Sequence, residues 1–138
     1  MIDWTTRFGR HVNRRFERES IVWLTTTDRQ GRPQPRPVWF HWNGVDCLLF
    51  SQPQAAKIGH IRLHPWVSLN LNTDPSGDEV AVLLGRARLL RRLPDARRIE
   101  AYVRKYGRGL RDLGFTRQSF FEEYCVGIRV DPRQLRGF

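Results

Sequence analysis

Arg36, Ser51 and Lys57 are the side chains whose types and spacing suit the binding of an anion. A guanidinium, a hydroxyl and an ammonium group are commonly used by proteins to hold phosphates, and a helix N-terminus adds free backbone N–H groups. Lys57 lies in or near the first turn of a helix predicted over residues 54–64, which Pro65 ends. If these groups converge, they form a phosphate site.

A predicted hairpin is what brings Arg36 next to Ser51. Residues 34–42 and 45–51 read as strands, and Asn43-Gly44 between them favours a type I′ turn, in which both loop residues have positive φ. With these two residues as the loop, the antiparallel ladder pairs Arg36 with Ser51. The pattern therefore predicts that the two side chains are neighbours at the open end of the hairpin.

The remaining elements follow from hydrophobic periodicity and turn residues. Apolar side chains at every fourth position predict an amphipathic helix over residues 4–16. Gly85 is expected to mark a bulge, and Gly107 is expected to stop a helix that begins at Pro94. Further strands are predicted at 21–27, 66–72, 79–92 and 124–130, and further helices at 94–106 and 116–123. Six strands with peripheral helices predict one small antiparallel barrel, of the mainly β or α+β class.

Charge and length restrict the classes of function. The 138 residues fit one domain, and 24 Lys and Arg against 14 Asp and Glu give a net charge of +10. A charge of this size implies an anionic partner. No apolar run approaches the roughly 20 residues of a membrane span, and no secretory signal is recognised at the N-terminus. Cys47 and Cys125 form no C-x-x-C pair, so we expect two reduced core residues and a cytoplasmic location.

Several catalytic motifs are absent from the sequence. There is no phosphate-binding G-x-x-x-x-G-K-[ST] loop, and Gly107 and Gly109 follow a helix rather than a strand, unlike a dinucleotide fingerprint. His60 and His64 are four residues apart, but the Glu of H-E-x-x-H is missing, so no metal site is expected. No Ser-His-Asp set is recognisable, and the residues alone therefore identify no catalytic side chain.

The order and spacing of several segments resemble the pyridoxamine 5′-phosphate oxidase-like split β-barrel superfamily. The segments are GRPQPRPVWFHWNG, LLFSQPQAAKIGHIRLHPWVSLNLN and EVAVLLGRARLLRR. Within the superfamily, the chain is similar to small actinobacterial members that use the deazaflavin coenzyme F420 rather than FMN. The resemblance implies a six-stranded split barrel that forms a homodimer, with the cofactor in a groove between subunits.

The resemblance also implies which residues contact the cofactor. The strand with Arg36, Pro37, Val38 and Trp39 would run along the tricyclic ring. Ser51 and Lys57 match the positions that hold the cofactor phosphate.

FMN-using oxidases of the superfamily have an arginine immediately before this lysine, where the present chain has Ala56. This departure favours F420, which has a phosphodiester, a lactate carboxylate and a polyglutamate tail. Arg7, Arg10, Arg14 and Arg15 on the first helix are candidates to line the path of that tail.

The sequence therefore predicts an F420-dependent oxidoreductase that transfers hydride to a small electron-poor acceptor such as an enone or a quinone-like compound. The cofactor supplies the redox chemistry, and the protein binds and orients the reactants. The first alternative is an FMN-binding flavoprotein of the same fold, acting as a flavin reductase or oxidase. The second is a non-catalytic module, either a cofactor carrier or a basic single-strand nucleic-acid binder that uses its tryptophans. Under the first reading, neither nucleic acid nor a membrane is a partner.

Overall fold

The computed structural model describes residues 1–138 as seven strands and four helices. The helices are α1 (Arg7–Arg18), α2 (Ala56–Leu63), α3 (Ala96–Asp112) and α4 (Arg117–Glu123). The strands are β1 (Val22–Thr27), β2 (Pro33–Val38), β3 (His41–Trp42), β4 (Cys47–Ser51), β5 (Trp66–Asn70), β6 (Ala81–Leu89) and β7 (Val126–Gly137). None of the helices is long and apolar enough to cross a membrane.

The strands form one curled antiparallel sheet in the order β2-β1-β5-β6-β7-β4-β3. This arrangement is a split barrel of the α+β class, so the predicted fold class is confirmed, with seven strands instead of six. The additional strand arises because the predicted strand 34–42 is interrupted after Val38. Its first part, β2, pairs with β1 at one end of the sheet, and its second part, β3, pairs with β4 at the other end.

The chain crosses between the two ends of the sheet at Phe40, which is fully buried. Its backbone N–H donates to the hydroxyl of Tyr106 at 2.9 Å, and its carbonyl accepts from Lys105 Nζ at 2.9 Å. Buried backbone groups need such partners when no neighbouring strand supplies them. Two side chains of α3 therefore allow the strand to break here.

The predicted hairpin register is wrong. His41 pairs with Leu48 and Trp42 with Cys47, so four residues rather than two form the loop. The side chain of Asn43 accepts hydrogen bonds from two backbone N–H groups of that loop, at 2.9 and 2.8 Å. Because Asn43 closes the loop through its side chain and only Gly44 has a positive φ, a type I′ turn does not form.

Two apolar clusters hold the elements together. The larger cluster fills the barrel and includes Val12 and Phe16 of α1 and Ile58 and Ile61 of α2. The smaller cluster lies between β4 and the helices α3 and α4, and consists of Leu48, Phe50, Tyr102, Tyr106, Leu110 and Phe120. Strand β4 faces a cluster on each side, which explains why all five of its residues are buried.

Helix α3 does not stop at Gly107, as the sequence predicted, but continues to Asp112. Glycine inside a helix costs about 1 kcal/mol relative to alanine. At Gly109, however, a Cβ atom would lie 3.0 Å from the Trp39 ring and would push against it, so glycine allows the close packing of Trp39 on the helix. The chain turns instead at Gly114, which has a φ of +80°.

The remaining sequence predictions have mixed outcomes. The bulge at Gly85 is confirmed, and β7 extends beyond the predicted end at residue 130 to Gly137. Helix α1 begins after its cap Thr6, later than predicted. Cys47 is a core residue, and burial raises the pKa of its thiol to about 12. Cys125 is exposed, so its prediction as a core residue is wrong.

Candidate functional site

A cavity of about 250 Å³ lies where the first turn of α2 faces the edge strand β2. It is lined by polar and basic side chains from both elements together with small residues. The lining residues are Thr26, Gln34, Arg36, Pro37, Val38, Ala55, Ala56, Lys57 and His60. We call it the anion cavity, because its charged groups are all basic.

Neither cation of the anion cavity has a carboxylate partner. No ion pair involves Arg36 or Lys57, and the only hydrogen bond of the Arg36 guanidinium goes to the carbonyl of Pro35 at 2.8 Å. Burial lowers the pKa of Lys57 below its usual range, and the positive charge of Arg36 lowers it further. Two cations that repel each other without a counter-ion favour binding of an anion between them.

The backbone adds to this positive potential. The N-cap residue of α2 is Ala55, whose side chain cannot accept a hydrogen bond from the first turn, so this helix begins without a side-chain cap. Uncapped N–H groups and the positive end of the helix dipole together form an anion-binding terminus. Ala55 and Ala56 line the cavity, and their side chains are single methyl groups, which leaves that terminus open to a ligand.

His60 completes the floor of the anion cavity one turn further along α2. Its Nδ1 atom lies 2.8 Å from the hydroxyl of Thr26, a buried residue of β1. The hydrogen bond fixes the ring between the helix and the sheet. No group of three or more His, Cys, Asp or Glu side chains is placed to hold a metal ion.

A second cavity of about 340 Å³ adjoins the first, and we call it the apolar cavity. Pro37, Val38 and Lys57 line both cavities, so the two share a wall. Nine of the eleven lining residues of the apolar cavity are hydrophobic. They come mainly from β2, α3, α4 and the connection between the two helices, and include Ile21, Trp39, Phe50, Tyr102, Leu113, Phe115, Phe120 and Tyr124.

Trp39 is held in the wall of the apolar cavity by aromatic stacking. Its ring lies parallel to that of Tyr106, with centroids 4.5 Å apart and planes inclined by 4°. Phe120 of α4 packs beside Trp39, with ring centroids 6.2 Å apart, and stacks in turn on Tyr124 at 4.6 Å and 10°. Stacked rings supply flat surfaces of the kind that bind planar ligands.

The structure brings five of the six predicted site residues together. Arg36 and Lys57 lie in the anion cavity, Trp39 in the apolar cavity, and Pro37 and Val38 in the wall between them.

Ser51 is the predicted residue that the structure places elsewhere. It lines neither cavity, is buried, and donates its hydroxyl to the carbonyl of Gln52 at 2.9 Å. The predicted pairing of Arg36 with Ser51 is also wrong, since β2 pairs with β1 and Arg36 faces Leu24, whereas Ser51 faces Val126.

The arginines of α1 do not line either cavity. Arg7, Arg10 and Arg14 are exposed. Arg15, in contrast, is 5% exposed and donates hydrogen bonds to Glu19 at 2.9 Å and to the carbonyl of Asn72 at 2.6 Å. The prediction that Arg15 lines the path of a bound tail is therefore wrong, because its guanidinium is already fully engaged in the fold.

The sequence analysis missed Tyr102, Gln34 and His60 as residues of the site. Tyr102 belongs to an apolar stripe on α3, and such a stripe indicates a buried face without showing whether that face borders a cavity. The four-residue spacing of His60 and His64 indicates a metal pair, not a place beside Lys57. The signal in the sequence is the i, i+3 spacing of Lys57 and His60, which places both side chains on one face of α2.

Residues 8–134 match the family profile described as pyridoxamine 5′-phosphate oxidase. No curated protein matches the chain at a significant level.

Solved structures share the fold over most of their length. HutZ, the heme storage protein from Vibrio cholerae, has a TM-score of 0.72 at 18% identity, covering 96% of this chain and 95% of that one. An F420 reductase has a TM-score of 0.64 at 21% identity, covering 88% and 92%. A Clostridium acetobutylicum protein related to general stress protein 26, of the pyridoxinephosphate oxidase family, has a TM-score of 0.68 at 16% identity, covering 95% and 86%. At identities this low, the similarity to these structures establishes the fold alone.

Proposed function

The chain belongs to the pyridoxamine 5′-phosphate oxidase family, and on that premise we propose that it is an F420-dependent oxidoreductase. Its reaction would transfer hydride to a small electron-poor organic acceptor. The observation that carries the proposal is the pair of cations without counter-ions, Arg36 of β2 and Lys57 of α2, which meet at the uncapped N-terminus of α2 beside an apolar cavity.

The residues present fit the chemistry of this coenzyme. Arg36, Lys57 and the first turn of α2 would hold the phosphodiester, since all three supply donors or positive charge. Pro37 and Val38 would support the tricyclic ring along β2. Ala56 stands where FMN-using relatives have an arginine, which suits a phosphodiester with one negative charge better than a terminal phosphate with nearly two.

Each partner has a separate task in the reaction. When bound, the reduced coenzyme supplies the hydride. The protein binds the phosphodiester, orients the ring against β2 and surrounds the acceptor with apolar side chains that exclude water.

Binding of F420, FMN and hemin to the purified chain, followed by fluorescence and absorbance titration, tests the proposal directly. We expect F420 to bind most tightly and Lys57→Ala to weaken it by about 1.5–3 kcal/mol, or one to two decades in dissociation constant. Arg62→Ala is the matched control, because Arg62 is an exposed cation on the same helix that lines neither cavity.

Three outcomes of that titration would contradict the proposal. FMN binding as tightly as F420 would support the flavoprotein alternative. Tighter binding of hemin would favour a function like that of the heme storage neighbour. Equal losses from Lys57→Ala and Arg62→Ala would mean that net charge, rather than the anion cavity, holds the coenzyme.

We also propose that the chain forms a homodimer. A groove of about 800 Å³ is lined by the N-terminal segment, by Phe8 of α1 and by residues of β1, β5, β6 and β7, and Trp66 in its lining is 52% exposed. Exposed apolar surface of this kind is characteristic of protein interfaces. Light scattering at micromolar concentration should show a species of twice 16.3 kDa, and a single monomeric species would refute the dimer.

A further inference from the structure

The hydroxyl of Tyr102 is a polar group that the fold leaves without a partner. Tyr102 is 1% exposed and packs between Phe50, at a ring distance of 4.7 Å, and Tyr106, at 5.0 Å. Tyr106 uses its own hydroxyl in three contacts, with Phe40 N, Phe40 O and Ser20 O. The Tyr102 hydroxyl makes no hydrogen bond to any group of the chain.

This unpaired hydroxyl borders open space rather than packed protein. Among side-chain polar atoms that are completely enclosed by protein, only Asp46 Oδ1 makes no hydrogen bond, and it is ion-paired to Arg98 at 2.7 Å. The Tyr102 hydroxyl also makes no hydrogen bond but is not completely enclosed, so it must border accessible space. Tyr102 is also one of the residues that line the apolar cavity. A buried polar group without a partner costs free energy, so a ligand that accepts its hydrogen bond gains in affinity.

The surroundings of the hydroxyl define the chemistry of that ligand. Burial raises the pKa of Tyr102 far above its usual value, so the group stays protonated and acts as a donor. The rings of Trp39, Phe120 and Tyr124 line the space, with Trp39 held by stacking on Tyr106 and Phe120 by stacking on Tyr124. The apolar cavity contains no carboxylate, and its single cation, Lys57, belongs to the wall shared with the anion cavity.

We infer that the apolar cavity is the acceptor site and that Tyr102 is its specificity-determining residue, selecting flat neutral compounds that present a carbonyl oxygen to its hydroxyl. The identification of the bound compound as a hydride acceptor rests on the proposed function. Pro37, Val38 and Lys57 line both cavities, so a compound in the apolar cavity lies beside a coenzyme anchored in the anion cavity. Transfer of hydride between the two requires this adjacency.

A matched pair of probes tests the inference: 1-indanone, and indane, which differs by lacking the carbonyl oxygen. Binding of each to the full chain is measured by NMR titration, first without coenzyme and then with saturating F420. We expect 1-indanone to bind more tightly than indane, and Tyr102→Phe to weaken 1-indanone about tenfold while leaving indane unchanged. F420 should not displace 1-indanone.

Two further variants test the assignment to this hydroxyl and this cavity. Tyr124→Phe removes the hydroxyl of the half-buried tyrosine that lines the same cavity and should leave 1-indanone binding unchanged. Leu113→Trp, at a position that is 65% exposed, should narrow the cavity and weaken both probes without disturbing the core.

Equal affinity of the wild type and Tyr102→Phe for 1-indanone would overturn the role of Tyr102. Displacement of 1-indanone by F420 would overturn the acceptor site, because the cavity would then hold the ring of the coenzyme. Either result is obtained independently of whether F420 binds more tightly than FMN, so failure of this inference is distinguishable from failure of the proposed function.

Discussion

Replacing Tyr106 by phenylalanine should destabilise the protein strongly, whereas the same replacement at Tyr102 should not. Both rings are buried on the same face of α3, and both substitutions remove a single oxygen atom. The two sites differ in what that oxygen contacts. Tyr106 accepts from the N–H of Phe40 at 2.9 Å and lies 2.8 Å from the carbonyl of Ser20, while Tyr102 contacts no polar group of the chain.

The expected magnitude follows from these contacts. Without the Tyr106 hydroxyl, the N–H of Phe40 is buried and unpaired, which costs about 1–3 kcal/mol. Loss of the hydrogen bond to Ser20 adds about 1 kcal/mol, and the carbonyl of Phe40 keeps its bond from Lys105. The sum is about 2–4 kcal/mol. For Tyr102→Phe we expect a change within about 0.5 kcal/mol, or a small gain, because an unpaired polar atom is removed from the interior.

Urea denaturation of the three proteins, followed by circular dichroism, measures both free energies of unfolding. The Phe variants keep the ring that packs against Trp39, so packing losses largely cancel between them. If Tyr106→Phe lies within 0.5 kcal/mol of Tyr102→Phe, the hydroxyl of Tyr106 does not hold the crossing between β2 and β3. Our explanation of the broken strand would then be wrong.

Three other predictions follow from the structure. Hydrogen bonds from the backbone N–H of Arg32 and from its guanidinium lower the pKa of Asp28 to about 2, so its stabilising contribution is present above pH 3.8 and is lost as pH falls towards 2. Asp28→Asn should therefore flatten the acid limb of the stability curve between these values, and an unchanged limb would contradict the assignment. Gly109→Ala should displace the Trp39 ring, shifting its fluorescence and costing about 1–3 kcal/mol, since the new Cβ would lie 3.0 Å from the ring. Burial lowers the pKa of Lys105 to about 8, so the folded state loses this proton before the unfolded state does and stability should rise between pH 8 and 10.5. Thermal melts of the wild type and of Lys105→Met over that pH range test this prediction, and parallel curves of stability against pH would refute it.

Features that depend on neighbouring residues along the chain were predictable from sequence. The bulge at Gly85, the start of α2 close to Lys57 and the amphipathic character of α1 were all expected and are present. Each depends on side-chain periodicity or on a turn residue, which act over a few positions. The convergence of Arg36 and Lys57 was also expected, although the hairpin register that was used to predict it is wrong.

Features that depend on which distant segments meet were decided by the tertiary structure. An antiparallel ladder satisfies the backbone of β2 equally well whether the partner is β1 or β4, so alternating residues do not identify the partner. The choice depends on Tyr106, 66 residues from Phe40, whose hydroxyl allows the strand to break.

For the same reason, the unpaired hydroxyl of Tyr102 could be recognised only from the tertiary structure. A buried phenol in the core and a phenol that lines a cavity produce the same apolar stripe in a sequence. Only the packing of α3 and α4 against β4 leaves one hydroxyl paired and the other free.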